Sequence, residues 1–219
     1  MIGFIDFIVA NPLLVLHHTW EHLQLVFISL SISVAIGVPI AVFMTNHKNL
    51  ARHVLSAANI FMTVPSIALF GLMMPILSPF GYGLGTVPAV SALVLYSQLP
   101  IIRNTYVAIK NISPTIIHAG QGIGLSQKAL LFELKIPLAL PYIISGIKNA
   151  AVLNIGIAAI ATYIGAGGLG VLIQQGINRL NYDMVVAGGV LVALLAVIVD
   201  LILNYVEKKL TPIGMTIQK

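Results

Sequence analysis

The sequence predicts an all-α membrane protein with five transmembrane helices. Of its 219 residues, 58% are hydrophobic, and the mean hydropathy is +1.02. Only 8% are charged, against about 25% in a soluble domain. Apolar runs of about 20 residues, the length that crosses a core about 30 Å thick at about 1.5 Å per residue, recur along the chain. This composition excludes disorder, nucleic-acid binding as a main role and a soluble enzyme.

Residues 1–22 are expected to be an extracellular or interfacial segment. The apolar stretch Met1–Ala10 is too short to span, lacks a basic flank and is interrupted by Asp6. It therefore reads as an interfacial helix or cover for the bundle, not a cleavable signal. The spans follow within 23–206: Leu23–Thr45, Val54–Leu77, Gly83–Ile102, Tyr142–Ala166 and Met184–Val206. The third contains Pro88 and Pro100, and the fourth contains Lys148. Both fit if Arg103 and Lys148 snorkel to the nearer interface. Residues 207–219 form a tail.

Basic residues set the expected orientation. Lys48, Arg52, Arg103, Lys110, Lys128, Lys135, Lys148, Lys208, Lys209 and Lys219 fall on one side, and only Arg179 falls on the other. The positive-inside rule makes the crowded side cytoplasmic, with the N-terminus outside and the C-terminus inside. An odd span count agrees. Trp20, Tyr82, Tyr163 and Tyr182 mark the outer ends, and Tyr106, Tyr142 and Tyr205 the inner ends.

Ionisable groups at depth are few. Asp200 stands out in the fifth span, as a functional acid or as the partner of a neighbouring subunit or of Lys208. No relay of buried acids or histidines points to a proton- or sodium-coupled carrier. Cysteine is absent, which removes disulfide and thiolate chemistry. His17, His18 and His22 do not share one helical face, and with His47, His53 and His118 they read as interface histidines; no metal site is expected.

The longest soluble piece, Arg103 to Pro141, lies between spans three and four, with its loop at about 111–141. A loop of that length is expected to contain short helices. Ser113-Pro114 is a helix start, with a Ser cap and proline in the first turn. A helix through Thr115–Ala119 is expected to be broken by Gly120, Gly122 and Gly124. Ser126 caps a second helix, Gln127–Lys135, which Pro137 and Pro141 end. Small residues (Ala119, Gly120, Gly122, Gly124) beside Ile116, Ile117, Ile123 and Leu125 suit close docking of a soluble partner, or packing on the chain's own bundle. The glycine run carries no phosphate-binding Lys-Ser/Thr, so nucleotide binding is not expected here.

This segment resembles the EAA loop of permease subunits in binding-protein-dependent ABC importers. With the motif glycine on Gly124, the closing tetrad falls on Leu134-Lys135-Ile136-Pro137, and the two alanines fall on Ala119 and Gly120. The glutamate position holds His118, a departure that touches any contact made through that carboxylate. Thr63-Val64-Pro65-Ser66, Leu99-Pro100-Ile101-Ile102-Arg103-Asn104-Thr105-Tyr106, Gly165-Ala166-Gly167-Gly168-Leu169-Gly170 and Leu210-Thr211-Pro212 resemble the osmoprotectant branch, which imports glycine betaine, carnitine or choline. Methionine-type permeases share the glycine run.

The resemblance implies the type I importer (MetI-like) fold and a multi-pass subunit of the cell membrane. It also implies two ATP-binding subunits, a second identical or homologous permease and an extracellular substrate-binding protein. ATP and magnesium would reside on the ATPase, with no cofactor on this chain. Coupling falls on His118, Ala119, Gly120, Gly124, Leu125, Leu134, Ile136 and Pro137. From their own positions, path or gate roles are considered for Tyr96, Asn154, Thr162, Gly165, Gly167 and Gly168, against helix packing for Tyr96, cross-helix bonds for Asn154 and Thr162 and a tight turn of positive φ for the glycines. Val171–Ile177 is expected as a short surface helix. With one Trp and one mid-membrane tyrosine, a full aromatic cage for a quaternary ammonium is not expected, so specificity is assigned to the binding protein. The alternatives are a permease for another small solute such as an amino acid, or a secondary carrier or channel subunit that needs no ATPase.

Overall fold

The computed structural model describes residues 3–211, which are helical almost throughout and include no strand. Pro212 and Lys219 of the motifs and basic residues above lie outside the described residues. The helices are α1 (Gly3–Ala10), α2 (Pro12–Met44), α3 (Lys48–Thr63), α4 (Ser66–Leu77), α5 (Thr86–Lys110), α6 (Pro114–Gly122), α7 (Gln127–Ala129), α8 (Ile136–Ala158), α9 (Gly170–Asn178) and α10 (Tyr182–Leu210). Four stretches are long and apolar enough to cross a membrane: α2, α5, the continuous Gln127–Ala158 and α10. The bent pair α3–α4 supplies the fifth.

α5 is the central helix. α2 and α8 flank it, α3 and α4 lean on it, and α10 packs on α8 and α9. Its centrality explains why the third span tolerates buried Ser97, Gln98 and Thr105: its surroundings are protein, not lipid. Leu69, Phe70, Leu93, Tyr96, Ile155, Leu169 and Leu172 fill the core. α8 approaches α5 closely because Gly146 has no side chain; a Cβ there would lie 2.8 Å from the Pro100 carbonyl oxygen. Phe27, Phe43, Leu194, Val197, Leu201 and Tyr205 are exposed, as a lipid-facing perimeter requires. α1 packs against α10, with Phe7 and Ile8 on the core, so the short apolar segment covers the bundle.

Several boundaries differ from the expected ones, each for a physical reason. α2 begins at Pro12, with proline in its first turn, where a missing N–H costs nothing. The second span is not one helix. Pro65 pushes Val64 to extended backbone (φ −66°, ψ 131°), and the two halves meet at 106°. The fourth span starts in the loop: Pro137 and Pro141 do not end the helix that Ser126 opens. Pro137 has no N–H for the carbonyl four residues back and its ring crowds it. The helix widens ahead of it into a π-helical turn, Leu130–Lys135, in which the Ile136 N–H reaches the Leu131 carbonyl. At its far end the helix stops at Ala158, and a 3-10 turn, Ala161–Ile164, replaces the predicted last turns.

Lys148 does not snorkel free. Its Nζ donates to Asn204 Oδ1 at 2.6 Å and pairs with Glu207 at 3.1 Å. Asn204 Nδ2 in turn donates to Asp200 Oδ2 at 2.7 Å. Asp200 therefore finds its partner one helical turn along α10 and is linked through it to Lys148, instead of pairing with Lys208. This network ties α8 to α10 near the lysine-rich end of the bundle.

Candidate functional site

The predicted coupling residues gather at the lysine-rich end. α6 is one unbroken helix: Gly120 and Gly122 lie within it, and only Gly124 takes a positive φ, +85°. The helix closes with both bonds of a Schellman cap. Gly124 N–H donates to the Gln121 carbonyl at 3.0 Å and Leu125 N–H to the Gly120 carbonyl at 3.1 Å. Gly120 is buried because it is the seat of this turn. A Cβ there would meet Leu125 and Leu130 at 3.3 Å and Leu134 at 3.5 Å. Leu134 and Leu125 thus hold α6 onto the π-helical turn.

Ser113 precedes α6 without a side-chain cap bond. Ser126 accepts from Ala129 N–H at 3.2 Å, as its position predicts. His118, Ala119, Gly124 and Pro137 are exposed, and Ile136 is half-buried. His118 Nδ1 lies 3.3 Å from Gln121 Oε1 on its own helix. Ile116, Ile123 and Phe132 are exposed on the same foot. A cleft of about 340 Å³, lined by Asn104, Val107, Ile112, Ile116, Leu138 and Tyr142, separates α6 from the spans. The foot is held by a few side chains and presents apolar surface outward.

At the opposite end, the glycine run is a junction. Gly165, Gly167 and Gly168 have φ of +79°, +80° and +85°. Gly168 N–H donates to Glu21 Oε2 at 3.0 Å. Leu169 N–H donates to His22 Nδ1 at 3.3 Å, and His22 Nε2 lies 3.0 Å from the Ile155 carbonyl. Bonded at both nitrogens and fully buried, His22 is a tie between α2, α8 and the turn, not an interface histidine. Gly85 N–H reaches the Ile164 carbonyl at 2.7 Å, which brings in the start of α5. α9 covers the predicted Val171–Ile177.

Tyr96, Asn154 and Thr162 are not brought together. Tyr96 donates to the Val64 carbonyl at the bend between α3 and α4. Asn154 Nδ2 donates to Ser29 at 3.2 Å and Ser97 at 2.8 Å, joining α2, α5 and α8. Thr162 donates to Gln174 at 3.2 Å, holding α9 to the 3-10 turn. Each of the three ties elements of the bundle together. Val64 is extended at the break, outside both helices, so Tyr96→Phe removes the side-chain donor to its half-buried carbonyl. We expect a loss of about 1–2 kcal/mol, read as a lowered thermal midpoint of the purified protein in detergent.

Sequence reasoning missed one feature. Arg52, Ser56, Asn59 and Thr63 are all exposed along α3, at spacings of 4, 3 and 4 that put them on one face. Ser56 and Asn59 line a cleft of about 320 Å³ with Leu55, Leu99 and Arg103. A polar stripe on a membrane helix faces water or another chain, not lipid. The signal was legible in the 3.6-residue period, but the surrounding apolar run masked it.

Three comparisons bear on this architecture. Residues 33–212 match the family described as binding-protein-dependent transport system inner membrane component. The chain is 47% identical over 197 residues to the osmoprotectant import permease protein OsmW of Salmonella typhimurium strain LT2, covering 90% of this chain and 92% of that one. It is 38% identical over 209 residues to the glycine betaine/carnitine/choline transport system permease protein OpuCB of Bacillus subtilis strain 168, covering 95% and 94%. Among solved structures, an inward-facing MetNI methionine ABC transporter superposes with a TM-score of 0.80 at 24% identity, covering 92% of this chain and 99% of that one. That last likeness speaks for the fold.

Proposed function

The chain belongs to the family of binding-protein-dependent transport system inner membrane components, and from that premise we propose that it is the permease subunit of an ATP-driven importer of quaternary-amine osmoprotectants. Glycine betaine, carnitine and choline are the substrate class, in line with the names of its relatives. ATP hydrolysis belongs to a separate partner chain; this subunit converts that chain's closure into movement of its helices.

The observation that carries the reading is the α6 foot: a capped helix seated on Gly120, separated from the spans by a cleft and apolar on its outer surface. Two ATP-binding subunits grip two such feet, one from each permease of a pair. The residues from His118 to Leu125, with Leu134, Ile136 and Pro137, form the grip. The lysine-rich end lies in the cytoplasm and the N-terminus outside, with residues 111–141 facing the ATPase. The polar stripe of α3 and Arg103 line half of the passage, and the second permease supplies the other half. At the outer end, Gly165, Gly167 and Gly168 form the gate region onto which the binding protein docks, with Tyr96, Asn154 and Thr162 holding its walls. Substrate choice rests with the binding protein.

The test is uptake into proteoliposomes holding the full assembly. Labelled glycine betaine, carnitine or choline is expected to accumulate only when ATP and the binding protein are both present. Replacing that protein with one of different specificity is expected to change the transported solute. ATP-independent uptake, or selectivity that stays with the permease, would overturn the proposal.

A further inference from the structure

We propose that His17, His18 and Glu21 form a site for a divalent transition-metal ion, of which zinc is the representative, at the glycine-run end of the bundle. The three residues lie near the start of α2, where spacings of three and four residues bring both imidazoles over one carboxylate. His17 Nε2 is 3.2 Å from Glu21 Oε1, and His18 Nδ1 is 2.8 Å from Glu21 Oε2. One ligand atom from each residue falls within 4.8 Å of the others. Zinc bonds of 2.0–2.2 Å at a tetrahedral angle separate neighbouring ligand atoms by roughly 3.4 Å. With one Glu21 oxygen as ligand, one edge is close to formed and the others lie within 4.8 Å, so side-chain rotations admit an ion.

The surroundings fit a site open on one side. His17 is 65% exposed at its side chain, whereas those of His18 and Glu21 are 13% and 30% exposed. Three protein ligands leave a fourth position for water. Glu21 is itself oriented: Gly168 N–H donates to its Oε2, the kind of outer bond that fixes a ligating carboxylate. Two neutral imidazoles and a carboxylate favour zinc, nickel or copper over magnesium or calcium. His22, bonded at both ring nitrogens, is not a ligand. The face that His17, His18 and His22 fail to share is thus replaced by one made of two histidines and an acid.

The full-length chain, purified in detergent with no affinity histidines left on it, tests the site by equilibrium dialysis against zinc chloride. We expect one zinc per chain, a raised thermal midpoint in zinc and no such rise in magnesium at equal concentration. The double variant His17→Ala/His18→Ala is expected to weaken binding at least about tenfold, a loss of about 1.4 kcal/mol. The triple variant His47→Ala/His53→Ala/His118→Ala, altered at the opposite end, keeps it. His17→Gln alone alters an exposed side chain and gives the same direction if the double variant is unstable. Unchanged zinc binding in the His17 and His18 variants, or no stoichiometric zinc in the parent chain, would overturn the assignment.

Discussion

Replacing Gly124 with Asp is expected to cut ATP-driven uptake sharply while the chain still inserts and folds. Gly124 sits at φ +85° with open space where a Cβ would go, so the cost is in the backbone and the charge, not in a clash. A non-glycine residue in the left-handed region costs about 1–2 kcal/mol, Asp and Asn toward the low end, so the charge separates these two. That strain falls on the two bonds that close α6, from Gly124 to Gln121 and from Leu125 to Gly120. Loosening them releases Leu125 from Gly120 and shifts the exposed Ile123. The added carboxylate also enters a surface whose neighbours are apolar. We expect uptake to fall by on the order of tenfold or more, with membrane levels and thermal midpoint close to those of the parent. Gly124→Asn, which tolerates the left-handed region and adds no charge, is expected to retain more uptake than Asp. Parental uptake by the Asp variant would remove α6 from the coupling scheme.

The second large effect is on folding itself. A Cβ at Gly170 would stand 1.8 Å from the Ala159 carbonyl oxygen and 2.7 Å from its carbon. Both atoms are backbone at the end of α8, so no side-chain rotation relieves the clash. Gly170→Ala must push α9 off the α8 terminus and with it Leu169 and Leu172, both fully buried. We expect destabilisation at or beyond the upper end of the usual overpacking range, about 3 kcal/mol. The readout is a collapsed monodisperse fraction after solubilisation and mild heating. Gly189→Ala is the control: nothing lies within 4 Å of its Cβ, and removing a helical glycine is expected to be neutral or to stabilise by about 0.5–1 kcal/mol. If Gly170→Ala heats like the parent, the α8–α9 junction is looser than described.

Both predictions rest on glycines of different legibility. Gly124 is readable from the chain, because a glycine followed by Leu125 and the Ser126 cap is a helix stop with a mechanism. Gly120 and Gly122 look identical in sequence, yet they are helical, because Gly120 is needed for close approach by leucines that come from further along the chain. The spans were legible as apolar runs, whereas their joints were not. Pro65 breaks its helix, while Pro137 and Pro141 do not break theirs. The difference lies in the backbone ahead of each proline: Val64 turns extended before Pro65, whereas a widened π-helical turn before Pro137 keeps the helix continuous. Lys148 read as a residue near an interface because its partners, Asn204 and Glu207, are more than fifty residues away. The lone histidine that became a tie, His22, was misread for the same reason: both of its bonds are long-range.

The uninterrupted Gln127–Ala158 segment has a consequence for how motion crosses the bilayer. A helix of that length extends about 48 Å, and it starts beside the seat of α6 and stops against the glycine junction. About two-thirds of the way along, Lys148 braces it to α10. A displacement applied at its base is therefore delivered to the far leaflet by one stiff rod, with the widened turn ahead of Pro137 as its flexible ankle. In the proposed importer, opening and closing at the two faces of the membrane would then be a single tilt seen from opposite ends.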